Sequence, residues 1–283
     1  MSFGLVKQIQ HAISNLNPEE VRHEAERPLA ISLNAPSADA AFAMESFFCP
    51  LHLSQAKRAQ VQEILHSPIA KPDLEIYDSS MKCPSVGFIF DVQHPELCVR
   101  TILKKKPELE LALARYLEPF RDPVVGNIIQ RISKENALFS LATALPDIIP
   151  LISLPWAIGE FASDTAFLTM NQIRMTFMIA AASDHPIGYR EQKAEMGTIL
   201  AGAFGMRALA RELISKIPYG GGLLPKAAIA YAGTRVIGLS MDKLYRVGYG
   251  YNQDERRLAY EDAYERGKEI ASGLLNKVRN KHA

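Results

Sequence analysis

Small residues recur at every fourth position in two apolar stretches between residues 194 and 242. Gly197, Ala201 and Gly205 share one helix face, and Ala230, Thr234 and Gly238 share another, because residues four apart stack on one side of a helix. The stretches are joined by Ile217-Pro218-Tyr219-Gly220-Gly221-Gly222-Leu223-Leu224-Pro225-Lys226. Together they predict a helical hairpin whose two backbones approach closely. Before residue 137 the pattern changes. Apolar runs at 29–33, 74–77 and 86–90 predict strands, with helices over 38–48 and 55–65 between the first two. Asn17-Pro18-Glu19-Glu20 sets out an N-cap, an N1 proline and an N3 glutamate. Asp122-Pro123 is the expected start of a long helix whose stripe is Val124, Val125, Ile128, Ile129 and Ile132. From there the reading is helical almost to the end.

The expected fold is therefore α+β and mostly helical. A small three-stranded α/β module precedes a helical domain that holds the close-packed small-residue hairpin. The boundaries expected are an N-terminal helical element at 1–26, the α/β module at 27–120, the helical domain at 121–245 and a charged C-terminal helix at 246–283. Charge density marks the last of these: 17 of the 109 residues in 137–245 are charged, against 14 of the 38 in 246–283. The middle is built for burial and the tail is not. Both ends carry stripes suited to assembly, Phe3, Val6, Ile9, Ile13 and Leu16 at one and Tyr260, Tyr264, Ile270, Leu274 and Val278 at the other.

With 283 residues, 48% of them hydrophobic, the chain can build a sizeable core and is not disordered. A net charge of +1 with interspersed signs gives no field that would gather nucleic acid. Cys49, Cys83 and Cys98 lack zinc-site spacing and read as free thiols of a reducing compartment. The opening residues carry no export signal, so the expected location is cytoplasmic.

Chemistry is tested by spacing. After the first strand, Asn34-Ala35-Pro36-Ser37-Ala38-Asp39-Ala40-Ala41 has no glycine for close approach, no lysine for phosphates and no terminal hydroxyl for magnesium. Asp78-Ser79-Ser80 and Asp91-Val92-Gln93 end the other two strands with acids but without a phosphate-sensing glycine or a base-reading motif. The seven histidines include no zinc-hydrolase pair, and no Gly-x-Ser-x-Gly elbow occurs. Glu191 and Glu195 lie four apart beside Arg190 and Lys193 and read as a solvated helix face. No catalytic residue, metal ligand or cofactor is expected.

Polar residues inside the apolar middle must find partners. Glu160, Asp164 and Arg174 are assigned to a structural polar network, with pairing of Glu160 and Asp164 to Arg207 and Arg211 natural by spacing. A sharper reading makes Arg207, Arg211, Lys226 and Arg235, with the donors of Gly220, Gly221 and Gly222, a site for an anion such as a lipid headgroup or a partner's acidic segment.

The apolar runs 137–159 and 165–183 are long enough to cross a membrane. Pro146, Pro150 and Pro155 interrupt the first, and Asn171, Gln172 and Arg174 fall in the middle of the second, so a buried helical core is favoured over an inserted hairpin at 137–183.

Three segments carry a resemblance. They are Gly202-Ala203-Phe204-Gly205-Met206-Arg207-Ala208-Leu209-Ala210-Arg211-Glu212-Leu213, Ile217-Pro218-Tyr219-Gly220-Gly221-Gly222, and Ala228-Ile229-Ala230-Tyr231-Ala232-Gly233-Thr234-Arg235-Val236-Ile237-Gly238. They resemble the YcjF-type bacterial domain of unknown function, over roughly residues 140 to 245, with Asn171-Gln172-Ile173-Arg174-Met175 similar to its entry helix. The resemblance implies association with Ras/Era-like GTPases and the inner membrane. It also implies that residues 27–120 are a degenerate relative of the GTPase partner, although the motifs for GTP turnover are absent.

The function expected is thus a non-enzymatic binding or scaffold protein at the cytoplasmic side of a membrane. Its partner would be another protein, a second copy or a membrane lipid, and not nucleic acid. The alternatives are an integral membrane protein with its hairpin at 137–183, and a nucleotide-binding or hydrolysing enzyme in which Asp78 and Asp91 converge on a non-standard site.

Overall fold

The computed structural model describes residues 16–67, 71–143, 164–199 and 223–282. It is 70% helical with a three-stranded parallel sheet, a mostly helical α+β fold. The chain divides into two units. A sheet unit takes Glu19–Gly126 with Ala180–Pro186, and a helical unit takes the described parts of Asn127–Ile179 and Ile187–Ala283. The sequence boundary at 120/121 thus lies six residues before the observed division, which falls inside a helix.

The sheet unit runs α1 (Pro18–Ala25), β1 (Ile31–Asn34), α2 (Ala38–Phe48), α3 (Gln55–Leu65), β2 (Leu74–Asp78), β3 (Phe88–Phe90), α4 (Pro95–Lys105) and α5 (Glu110–Tyr116). The two helices between β1 and β2 begin where serines cap them. Ser37 Oγ accepts from Ala40 N at 3.3 Å and Ser54 Oγ from Lys57 N at 3.2 Å, each satisfying one of the open donors of a first turn. The strands lie in the order β1-β2-β3, all parallel, with Leu33 opposite Ile76 and Ile76 opposite Phe88. Side chains alternate across the pleat. Ile31, Leu74, Ile76, Phe88 and Phe90 are buried on one face, where Phe47 and Phe48 of α2 meet Phe90 at ring distances of 5.5 and 5.8 Å. The other face carries Ser32, Asn34, Glu75 and Tyr77, half-buried, and Ile89, 57% exposed. Parallel sheets are ordinarily covered on both faces, so this one is unusually open. The crossover from β2 to β3 is also short. Residues 79–87 make it without a helix, where a dozen residues or more are usual. Gly87 permits the close passage, since a Cβ there would stand 2.8 Å from Cys83 Sγ and 2.9 Å from the Tyr77 ring.

Helix α6 (Glu118–Ala142) starts four residues before the predicted Asp122, with Pro123 inside it. Glu118-Pro119 is the true opening, and Pro123 only removes the ladder bond its missing N–H would have given the Pro119 carbonyl. The helical unit continues with α7 (Asp164–Ala182), a helical stretch at 193–199, α8 (Leu223–Val247) and α9 (Gln253–His282). From Ala166 to Ala182 every α7 residue except Leu168 and Arg174 is buried. A helix covered all round is a core helix, and among the described residues no helix is long and apolar enough to cross a membrane.

Among the described residues, the small-residue face of α8 meets α6 and α7. Residues 200–222, which include Ala201 and Gly205, lie outside the described residues, and no described atom lies within 4 Å of a Cβ built on Gly197. Gly238 instead lies against α6 and α7, where a Cβ would stand 2.8 Å from Ile129 Cγ1 and 3.1 Å from Met175 Sδ. The hairpin that is described joins α8 to α9. Ala228, Ala232 and Val236 pack on Tyr260, Ala263 and Tyr264, and Ala227 and Tyr231 pack on Ala271. At the crossing, a Cβ on Gly267 would sit 2.9 Å from the Ala228 carbonyl oxygen and 3.0 Å from its Cα. The seam of α9 thus passes through Ala263, Gly267 and Ala271, small residues that an apolar stripe of Tyr260, Tyr264, Ile270 and Leu274 skips over. The turn is fixed by Gly248 at φ +86° and by Ser240 Oγ accepting from Tyr251 N at 2.9 Å. Asn252 and Glu255 then form a reciprocal capping box, both bonds 2.9 Å.

Candidate functional site

The carboxyl ends of the strands are where an α/β sheet ordinarily holds a ligand, in the crevice at which strand order reverses. The order β1-β2-β3 contains no reversal. The polar groups there are used locally. Asp78 Oδ1 accepts from Ser80 N at 2.9 Å and Ser80 Oγ at 2.6 Å, and the side-chain bond and then the backbone bond hold its carboxyl below the ordinary range. Asp91 Oδ1 accepts from Gln93 N at 2.9 Å. Both acids close turns on their own loops. Asn34 Nδ2 points back to Ser32 Oγ and the Ile76 carbonyl, each at 3.4 Å. Among the described residues no three histidines, cysteines or acids gather as a metal site. The three cysteines are free, and burial pushes the Cys98 thiol up to about 12.

Of the anion-site residues, Arg207, Arg211, Gly220, Gly221 and Gly222 lie outside the described residues, as does Glu160. Lys226 is exposed on α8, with Nζ 3.3 Å from Thr143 Oγ1. Arg235 is half-buried nine residues further along. Nine residues turn a helix by about 180° and advance it by about 13 Å, so Lys226 and Arg235 face opposite sides and do not share a site. Asp164 opens α7. Arg174 faces Glu135 of α6, Nη1 to Oε2 3.9 Å, a carboxylate the sequence did not single out.

What the helical unit does gather is a buried layer of amides and hydroxyls. Asn136 of α6 donates to Thr234 Oγ1 of α8 at 2.7 Å and accepts from Asn171 Nδ2 of α7 at 2.8 Å. Gln172 Nε2 adds a bond to Thr234 Oγ1 at 3.3 Å, and that hydroxyl donates to the Ala230 carbonyl at 2.8 Å. Asn136, Asn171 and Thr234 are wholly buried. Such a layer fixes the relative register of three helices, because sliding any one of them strands polar groups in the core. Only Asn171 Oδ1 lacks a partner within it.

Beside this layer, burial raises the pKa of Glu135 above its ordinary 4.5, against the lowering influence of Arg174 and then Arg131. A carboxyl with a raised folded-state pKa holds its proton more tightly folded than unfolded. Its contribution is therefore full below 4.5 and is lost as pH rises through the folded value. Glu135→Gln should then melt above the wild type at neutral pH, with the gap closing below pH 4.5. Thermal melts across that range check it, and a variant less stable at neutral pH would show that the Arg174 contact outweighs burial.

Half-buried cations of the sheet unit serve a helix end. Arg115 Nη1 donates to the His185 carbonyl at 2.9 Å, Arg121 Nε to the Ala182 carbonyl at 3.2 Å, and Lys57 Nζ to Asp184 Oδ2 at 2.7 Å. Asp184, at φ 60°, ends α7 in the left-handed conformation. Cations at a helix C-terminus complement its negative dipole end.

One surface of the sheet unit is not self-satisfied. Val86, Ile89, Val92 and Leu97 are 76, 57, 56 and 53% exposed within twelve residues of chain around β3 and the start of α4. The sequence marked 86–90 as a strand but gave no sign that it forms the edge. No family model, curated protein or solved structure matches the chain.

Proposed function

We propose that this chain is a non-enzymatic binding or scaffold protein that engages another protein through its sheet unit. The observation that carries the proposal is the exposure of four large apolar residues, Val86, Ile89, Val92 and Leu97, within twelve residues of chain around the edge strand β3. Large apolar residues grouped on a surface mark interaction sites. The strand-end acids support the same reading, since Asp78 and Asp91 are spent in turns rather than aimed at a substrate. The kinship with YcjF-type domains belongs to this proposal on the strength of the sequence segments alone.

A second reading, peripheral contact with the cytoplasmic face of a membrane, draws on the α8–α9 turn. Val247, Tyr249 and Leu258 are 54, 62 and 60% exposed there, and tyrosines with arginines suit a headgroup layer.

Fractionation of native extracts tests both readings. The first expects the chain to migrate in an assembly heavier than its own 31.4 kDa. Release from the membrane pellet by salt or carbonate would favour the second, and a requirement for detergent would restore the inserted hairpin. A soluble monomer throughout would contradict the proposal.

A further inference from the structure

We infer that β3 accepts an added strand, an extended segment of a partner protein that alternates apolar and acidic side chains. The inference rests on the binding role proposed above and names its partner and mode.

The backbone supplies the first reason. The Phe90 carbonyl accepts from Ser79 N at 2.8 Å, so the main-chain groups of Phe90 point towards β2. Successive residues of a strand point their groups to opposite sides, which turns the N–H and C=O of Ile89 outward to the free edge. No described strand lies beyond β3. The β1 edge differs, because Ile31 is buried and Ser32, Leu33 and Asn34 are half-buried. An incoming strand at β3 would satisfy the Ile89 groups and cover its side chain, the two components of strand addition.

Charge supplies the second reason. Lys82 lies in the crossover loop before β3, and Arg100 and Lys104 follow Leu97 along one face of α4, the helix packed on β3. All three are exposed and have no anionic partner among the described residues. Lys105 Nζ sits 5.5 Å from the Phe88 ring, also without an acid. These unpaired cations, on the loop before β3 and on the helix packed against it, stand beside acids that already have partners, Asp91 in its turn and Glu96 at His94, and favour a segment that brings carboxylates with its apolar side chains.

The same facts disfavour the other occupants. A second copy pairing edge to edge would set the two groups of cations against each other. A bilayer would leave the Ile89 N–H and C=O unsatisfied in hydrocarbon.

The test uses the full chain and fluorescent peptides that alternate valine with glutamate, with a lysine counterpart and two forms N-methylated on one or the other alternate set of amides. The glutamate peptide should bind at least about tenfold more tightly than the lysine one, and N-methylation of only one set should abolish binding. Ile89→Pro removes the outward N–H together with the apolar side chain and costs no ladder bond to β2, a place where an edge strand tolerates proline, and should weaken binding by about tenfold or more. Ile89→Lys, which keeps the N–H but blunts the edge, should do likewise, and Lys82→Glu with Lys104→Glu should reverse the peptide preference. No binding up to about 1 mM, indifference to peptide charge, or equal effects of the two methylation sets would overturn strand addition. So would binding to anionic vesicles, or self-association, that Ile89→Lys abolishes. If native assemblies persist in the Ile89 variants, strand addition falls while the binding role stands; if native extracts contain only monomer, the binding role falls first.

Discussion

Gly267→Ala is expected to destabilise the helical unit by about 2 kcal/mol, although alanine for glycine inside an exposed helix gains up to about 1 kcal/mol. The sign reverses because of what the new methyl group would meet. At 2.9 Å from the Ala228 oxygen and 3.0 Å from its Cα, it strikes the backbone of α8, which cannot rotate away as a side chain can. The helices must separate, loosening Tyr260, Ala263 and Tyr264 from Ala228, Ala232 and Val236 along the seam. Gly273, six residues on, is the control. No described atom lies within 4 Å of a Cβ there, so Gly273→Ala should be neutral or stabilising by up to about 1 kcal/mol. Denaturant midpoints of the two variants should move in opposite directions. A stabilised Gly267→Ala would mean that α8 and α9 do not cross at that residue.

Asn136→Ala is expected to cost more, about 3 kcal/mol. The side chain is wholly buried, and its removal strips Thr234 of a donor and Asn171 of an acceptor at once. A buried polar group without its partner costs about 1–3 kcal/mol, to which the small cavity adds. Replacing the three wholly buried members, Asn136→Leu with Asn171→Leu and Thr234→Val, should recover part of that loss, because the only bond a remaining side chain then forfeits is the long 3.3 Å one from Gln172 Nε2 to the Thr234 hydroxyl. Denaturation of the single and combined variants measures this coupling. Additive costs would show that the layer is not a network.

These two sites mark how far the sequence could be read. Apolar periodicity located α2 and α3 at their observed bounds, and apolar runs located all three strands to within two residues at either end, because those signals are local. The small-residue face of α8 was legible as a face that meets another helix backbone closely. Periodicity does not name the neighbour, however, and Gly238 turned out to face Ile129 and Met175. Gly267 escaped notice because a seam of alanine and glycine between tyrosines has no apolar contrast in a charged helix. Asn136 sits in Ser133-Lys134-Glu135-Asn136, where its neighbours suggest a solvated surface, yet helical geometry turns it inward beside Ile132 and Ala137. Lys226 and Arg235 illustrate the converse, residues grouped by chemistry that helix rotation separates. The β3 edge was invisible for a topological reason: Val86-Gly87-Phe88-Ile89-Phe90 reads alike for a central or an edge strand, and only the order β1-β2-β3 decides.

A photoreactive side chain installed at Val86 or Val92, and separately at Leu51, tests the binding role most directly. Leu51 is 77% exposed and apolar but lies in the turn before α3, away from the β3 segment in sequence. Irradiation of native cells should join the chain at 86 and 92 to one discrete protein, with no matching product from 51. Equal products from all three positions, or none from any, would contradict a docking surface at the sheet edge.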